Sequence, residues 1–227
     1  MTTPEEKTIH SIGIIGGTGK EGKGLAYCWA KAGYRVTIGS RQAEKAQAAA
    51  EEVRTRLGGK GEVTGAINSD AATNCDLATI TVPYSAHRET LEGMKPYLQG
   101  KILVDVTVPL VPPRVSKVQM PPAGSASLEA QEILGEGVQV VTAFQNISYE
   151  NLYEGKEVDC DVLVCSNSKT ARRIVIGLVQ AAGLSGFDAG PLANSMVVEG
   201  LSSVLIGINL QFGVQSSGIR ITGIPRS

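Results

Sequence analysis

Three glycines, Gly17, Gly19 and Gly22, stand at the spacing G-x-G-x-x-G inside the run IGIIGGTGKEGKGLA, residues 12–26. A β-branched run precedes them and a helix-forming run follows, so the spacing falls where a strand would turn into a helix. Each glycine then has its own physical use. Gly17 allows a tight turn, Gly19 lets a pyrophosphate approach the backbone, and Gly22 lets helix and strand pack closely. The helix that opens at Lys20 presents unpaired N–H groups and the positive end of its dipole to an anion. The G-x-x-x-x-G-K-[ST] order of a P-loop is missing, which leaves a dinucleotide as the ligand.

The end of the second strand discriminates between dinucleotides. An NAD site usually carries Asp or Glu there, to hold the ribose 2′-hydroxyl. This chain instead reads IGSRQAEK, with Ser40 and Arg41 where the acid would stand. A carboxylate would repel a 2′-phosphate, whereas a hydroxyl and a guanidinium bind one. Lys45, four residues beyond Arg41, is expected on the same helix face one turn away, and Thr18 adds a hydroxyl from the glycine turn. The expected cofactor is NADP.

Two further strand ends read ATITVPYSAH and ILVDVTVPL. Thr81, Val82 and Pro83 close the first and Thr107, Val108 and Pro109 follow the second. Small apolar groups there would brace one face of the nicotinamide. Acid–base candidates are few. The chain has two histidines: His10 lies at the first strand, and His87 starts a helix with nothing to orient it toward a substrate, so it is expected at the surface or a helix end. The long C-terminal helix has no lysine, where β-hydroxyacid dehydrogenases carry their catalytic one. Reducing a ketone or imine needs a proton delivered in step with the hydride. Exchange between two redox cofactors asks mainly for alignment at about 3–3.5 Å, and the chemistry then resides in the cofactors. No side chain is therefore named as catalytic.

These residues sit in a chain of 227 residues and 23.7 kDa with 42% hydrophobic and 19% charged residues, enough for a substantial core. A net charge of −1 argues against the broad positive field of a nucleic-acid binder. Twenty-seven glycines against three Phe and one Trp suit a parallel sheet under closely packed helices. Cys28, Cys75, Cys160 and Cys165 fit neither a CxxC pair nor a zinc knuckle, so they are expected as free thiols in a reducing cytoplasm, with no metal site. The polar start MTTPEEKTIH is unlike a signal peptide. The uncharged stretch Gly200–Ile219 is expected as a buried helix and a following loop rather than a membrane span, because its serines, glutamines and Asn209 would be expensive in hydrocarbon.

Strand-like and helix-like segments alternate from Thr8 to Ala143, which implies a Rossmann-type α/β domain with a parallel sheet and right-handed crossovers. Helices are expected over Lys20–Ala32, Arg41–Leu57, Ala86–Lys95, Ser127–Leu134, Lys169–Ala181 and Leu192–Phe212. The run Val108–Pro122 holds five of the ten prolines and follows a strand's carboxyl end, so it is expected as a wall or lid over a site. The seam is placed at Gly137: residues 1–137 form the NADP-binding domain and 138–227 a small C-terminal α/β domain with a long helix. Gly200, Ser203 and Gly207 line that helix as a small-residue seam, for intrachain packing or for a partner subunit.

On the segments IGGTGKEGKGLA (15–26), IGSRQAEKA (38–46), TVPYSAH (81–87), VDVTVPLVP (104–112) and DAGPLANSMVVEGLSSVLIGIN (188–209), the chain resembles the NADP-dependent reductases of the deazaflavin coenzyme F420. The resemblance spans nearly the whole chain. It implies hydride transfer between the nicotinamide C4 and the deazaflavin C5, with F420 in the cleft between the two domains and a homodimer formed largely through the C-terminal part. It puts the 2′-phosphate contacts on Thr18, Ser40, Arg41 and Lys45, the nicotinamide wall on Pro83, and the deazaflavin pocket after the sixth strand, at Gln145 and Asn146. Members carry His and Pro where this chain has Gln145 and Ser148. A glutamine still hydrogen-bonds a ring carbonyl or N–H but carries no proton. An NADPH-dependent reductase of FMN, FAD or a small carbonyl compound and a non-catalytic NADP sensor are the alternatives.

Overall fold

The computed structural model describes residues 8–154 and 158–224. Six strands form one parallel sheet: β1 (Ser11–Ile15), β2 (Arg35–Ser40), β3 (Val63–Ile67), β4 (Leu77–Ile80), β5 (Ile102–Asp105) and β6 (Gln139–Thr142), in the order β3-β2-β1-β4-β5-β6. The order reverses between β1 and β4. Chain segments leave these two strands toward opposite faces, which opens a crevice over their carboxyl ends.

One face of the sheet is covered by α1 (Lys20–Lys31), α2 (Ala43–Arg56) and α7 (Lys169–Ala181). The other is covered by α3 (Asn68–Thr73), α4 (Tyr84–Leu98) and α5 (Ala126–Leu134). The near absence of aromatics allows close approach: a Cβ on Gly13 would stand 2.1 Å from the Ala71 carbonyl oxygen, and one on Gly65 2.3 Å from the Ala46 carbonyl carbon. Trp29 is the exception that joins the two parts of the chain. Its ring meets Phe144 edge-on at 5.8 Å and its Nε1 donates to the Leu178 carbonyl at 3.0 Å.

Beyond β6 come a short helix that periodicity did not show, α6 (Tyr149–Glu154), and a parallel pair, β7 (Asp161–Val164) and β8 (Ser185–Asp188). The six-stranded sheet extends past Gly137, because β6 pairs with β5 throughout. An antiparallel bridge between Thr142 and Cys165 ties the small sheet to the large one.

The last long element is a 3-10 turn, Leu192–Asn194, followed by α8 (Ser195–Phe212). By length and composition this stretch is apolar enough to cross a membrane. Its inner face, however, buries Ser195, Glu199, Ser202 and Ser203 against the rest of the chain. The small-residue seam faces the proline-rich loop of the same chain: a Cβ on Gly200 would lie 3.2 Å from Met120 Cε, and one on Gly207 3.7 Å from Ser116 Cβ. The seam therefore serves intrachain packing.

Candidate functional site

The glycine turn runs from the end of β1 to the start of α1. Its left-handed residue is Gly16, at φ +71°, rather than Gly17. Gly17 is needed for space instead, since a Cβ there would stand 2.8 Å from Ile14 Cγ2. A Cβ on Gly22 would stand 2.5 Å from Gly17 Cα, so helix and turn touch at backbone distance. Gly19 differs from both. It caps α1 in an extended conformation, with no side-chain cap, and a Cβ there would meet no atom within 4 Å. The first N–H groups of α1 thus lie behind an unobstructed backbone, which is the geometry an anion requires. Lys20 does not lean over this turn; its ammonium pairs with Glu150 of α6 at 3.2 Å.

The Gly17 N–H donates to the Gly39 carbonyl at 2.9 Å, which fixes the glycine turn against the end of β2, one residue before Ser40. Ser40 is the last residue of β2 and its Oγ accepts from the Gln42 N–H at 3.2 Å. That bond holds Gln42 extended and delays α2 to Ala43. Arg41 therefore precedes the helix, and the same-face relation expected between Arg41 and Lys45 does not hold. Both side chains are exposed, and among the described residues neither is held in an ion pair.

On the other side of the turn, Thr81, Val82 and Pro83 carry the chain from β4 into α4. The Thr81 N–H donates to the Ile15 carbonyl at 3.0 Å and its Oγ1 to the Gly16 carbonyl at 3.2 Å. Val82 Cγ1 would stand 2.3 Å from a Cβ on Gly16. These residues buttress the glycine turn as well as bordering the crevice. Pro83 caps α4, and its missing N–H is no loss there.

His87 is neither a surface nor a helix-terminal residue. It is fully buried, and its Nε2 lies 2.9 Å from Asp105 Oδ2 at the end of β5. Burial alone would push this imidazole down. The Asp105 carboxylate, with Glu129 and Glu199 further off, outweighs burial and holds its pKa above the ordinary value. The first turn of α4 thus carries a buried ion pair directly beneath the crevice.

Gln145 and Asn146 follow Phe144, a buried residue held at φ +75° where a bulky side chain is rarely found. This turn sends Gln145 back to β5, where its Nε2 donates to the Asp105 carbonyl at 2.6 Å, and sends Asn146 to α8, where its Nδ2 donates to the Val198 carbonyl at 2.9 Å. The remaining amide oxygen of each, Gln145 Oε1 and Asn146 Oδ1, is buried with no partner among the described residues, as is Thr107 Oγ1. Such orphaned acceptors are uncommon in native structures and suit a polar ligand edge.

Two further carboxyl groups belong to this end of the sheet. Glu199 of α8 is fully buried and accepts from the Ala126 and Ser127 N–H groups at 2.7 and 3.0 Å, so it caps α5 from another helix. Desolvation, and then the charge of Asp105, push it up to about 7. Glu21, in the first turn of α1, is pushed up to about 8 by the same two causes in the same order. Sequence reasoning missed Glu21, Asp105 and Glu199. The available signal was a lone acid inside an apolar or glycine-rich run: GTGKEG, ILVD and SMVVEGL.

Residues 11–109 match the family described as NADP oxidoreductase, coenzyme F420-dependent. The F420-dependent NADP reductase of Methanocaldococcus jannaschii is 38% identical over 221 residues, spanning 94% of this chain and 98% of that one. Its counterpart from Methanothermobacter thermautotrophicus is 36% identical over 225 residues, spanning 96% and 97%. Among solved structures, a candidate F420-dependent NADP-reductase from Arthrobacter sp. FB24 shares the fold, with a TM-score of 0.78 and 24% identity, over 95% of this chain and 100% of that one. The end-to-end match joins a glycine turn, a Ser–Arg strand end and a polar strand-six turn that the fold brings to one crevice, and on it the chain belongs to the F420-dependent NADP reductase family.

Proposed function

We propose that this crevice binds NADP(H) and F420 side by side and that the protein is an oxidoreductase passing a hydride between the nicotinamide C4 and the deazaflavin C5. The observation that carries the nucleotide half is the bond from Gly17 to Gly39. It sets the open amides of α1 beside Ser40 and Arg41, so one ligand can place its pyrophosphate on the first and its 2′-phosphate on the second. Gly17, Gly19 and Gly22 shape the turn, Thr18 and the Ser40 hydroxyl donate to phosphate oxygens, and Arg41 and Lys45 supply the positive charge. Lys20 joins them only by leaving Glu150. Thr81, Val82 and Pro83 wall the nicotinamide, and Gln145 and Asn146 offer their unpartnered oxygens to the N–H edge of the deazaflavin.

With both ring systems aligned, the hydride chemistry is that of the two coenzymes. The protein positions the rings and excludes water from the buried floor beneath them. We place the enzyme in a reducing cytoplasm, in keeping with thiols sheltered in the fold; burial pushes Cys28 and Cys165 up to about 11. The C-terminal part, 138–227, completes the cleft through α8. Its outer face exposes Val197 at 63%, Leu210 at 72% and Phe212 at 68%, and we assign that face to a homodimer contact.

The test is spectrophotometric: NADPH plus F420 should lose F420 absorbance at a rate that NADH does not match. NADPH oxidation by FMN or FAD with F420 left untouched would replace this reading with a flavin reductase. Binding of NADPH with no hydride transfer to any acceptor would replace it with a nucleotide sensor.

A further inference from the structure

Gly16, at φ +71°, is the residue on which the phosphate-binding turn pivots, and two side chains hold it from opposite sides. Its carbonyl accepts from Thr81 Oγ1 at 3.2 Å, on the β4 side. Its N–H donates to Asn68 Oδ1 at 3.1 Å, on the β3 side, across 52 residues of sequence. Asn68 opens α3, and an asparagine at a helix start ordinarily caps its own helix. Here it does not. The cap position of α3 is Ile67, which offers no side-chain acceptor, and the Asn68 amide reaches past β2 to the end of β1.

The reach is possible because β2 carries a glycine at the crossing point. A Cβ on Gly39 would stand 2.8 Å from Asn68 Oδ1, so a larger residue there would displace the amide. The Gly39 carbonyl also accepts the Gly17 N–H at 2.9 Å. The neighbouring amides of Gly16 and Gly17 are thus both engaged on the same side of the turn. One meets a side chain from the β3 end, the other the backbone of the β2 end. The Gly16 bond is what orients Asn68, whose Nδ2 takes no partner among the described residues. The two strand ends are themselves in register, with Ile67 beside Ser40. Asn68 therefore ties the glycine turn to the sheet edge that carries Ser40 and Arg41, by a route separate from the Gly17–Gly39 bond.

Resting on the NADP half of the reading above, we propose that Asn68 is a positioning residue for the choice of NADP(H) over NAD(H). It acts through Gly16 and not by touching a phosphate. It fixes the span between the α1 amides, where the pyrophosphate sits, and Ser40 and Arg41, where the 2′-phosphate sits. A ligand that fills both seats makes its second contact at a high effective concentration, and that gain depends on a span set in advance. NADPH is such a ligand. NADH lacks the 2′-phosphate and fills only the first seat, and adenosine 2′-phosphate fills only the second. Loosening the span therefore penalises NADPH and leaves the one-seat ligands nearly untouched.

Calorimetric titration of Asn68→Ala with NADPH, NADH and adenosine 2′-phosphate tests this without F420. The variant removes the acceptor of the Gly16 N–H and leaves Gly17, Gly39, Ser40 and Arg41 in place. NADPH affinity should fall about tenfold, the scale of one hydrogen bond whose donor is left unpaired. NADH and adenosine 2′-phosphate should each weaken by less than about twofold. An unchanged NADPH affinity would overturn the proposal. So would a loss for NADH or adenosine 2′-phosphate as large as that for NADPH, the signature of a turn that has merely lost stability. Should the variant not fold, amide hydrogen exchange of the wild type decides. Saturating NADPH should slow exchange at Gly16 about fivefold more than saturating NADH does, and equal slowing overturns the proposal. A wild type with no preference for NADPH over NADH would instead remove the 2′-phosphate reading, and the proposal with it.

Discussion

The two ends of the crevice are made by different physical means. The adenosine end consists of backbone N–H groups, the half-buried Thr18 and the exposed Arg41 and Lys45, contributed by two short stretches of chain that the Gly17–Gly39 backbone bond joins at their ends. The floor at the other end is a buried ionic assembly. Asp105, His87 and Glu199 are each fully buried and come from β5, α4 and α8, with Gln145 closing it from the turn after β6. Perturbing the first end should change binding with little effect on stability. Perturbing the second should change stability first, because buried charges depend on their partners.

Asp105→Asn should have the largest effect. It leaves His87 buried without its counter-ion, and breaking one side of such a pair typically costs about 3–5 kcal/mol. For a chain of this size the melting temperature should fall by roughly 2–4 °C per kcal/mol. The same assembly sets a pH trend. His87, Glu199 and Glu21 all have pKa values raised by folding. Each contributes stability below its unfolded value that is lost as pH rises through the folded one. For the two carboxyls the loss starts near 4.5 and is complete past about 7 for Glu199 and about 8 for Glu21, while for His87 it starts near 6.5. The wild type should therefore melt at a lower temperature at pH 9 than at pH 6, with a shallower trend in Asp105→Asn. A variant that melts like the wild type would erase the distinction between the two ends.

Gly19→Val tests the other side of the contrast. No atom lies within 4 Å of a Cβ at this position, so the fold should accommodate the side chain. The isopropyl group nevertheless occupies the approach to the α1 amides, and NADPH affinity should fall about 100-fold or more, ~2.7 kcal/mol. Gly22→Ala, three residues on, should behave oppositely: its methyl meets Gly17 Cα at 2.5 Å, and overpacking of this kind typically costs about 1–3 kcal/mol of stability. Calorimetric melting and nucleotide titration of both variants separate the outcomes. A strongly destabilised Gly19→Val would show that the turn is a packing element and not an open cradle.

What could be read from the chain follows the same division. Phosphate recognition uses neighbouring residues, so GTGKEG and IGSRQ announce the nucleotide end by spacing alone, and the strand–helix alternation gives the sheet that carries them. The spacing did not reveal that Gly16 rather than Gly17 takes the left-handed conformation, because consecutive glycines carry no label of which one turns. Nor did it reveal that Ser40 bonds Gln42 and delays α2 past Arg41, since that competition between a side chain and a helix start is settled by local geometry. The floor was hidden for another reason. Asp105, Glu199 and His87 lie far apart in sequence, and each by itself reads as an ordinary helix or strand residue. Their meaning comes from pairing across the sheet, and α6, too short for a periodic signal, was hidden by its length.

The smallest effects concern the 2′-phosphate, and they refine the adenosine end from within. Arg41 precedes α2 and its cap Gln42, and among the described residues it is held in no ion pair, so its planar guanidinium is available to take a phosphate in a bidentate grip. Arg41→Ala should weaken NADPH by about 1.5–3 kcal/mol, the range for hydrogen bonds to charged groups, and leave NADH nearly unchanged. Lys45 sits on the first turn of α2, exposed, and acts as a single flexible charge; Lys45→Ala should weaken NADPH by less than about 1 kcal/mol, with a loss that shrinks as salt is added. Because Arg41 lies off the helix and Lys45 on it, the two contributions should add, with little coupling in a double-mutant cycle. Strong coupling would mean that both side chains share one phosphate oxygen, and equal losses for NADH and NADPH would remove the 2′-phosphate from this end of the crevice.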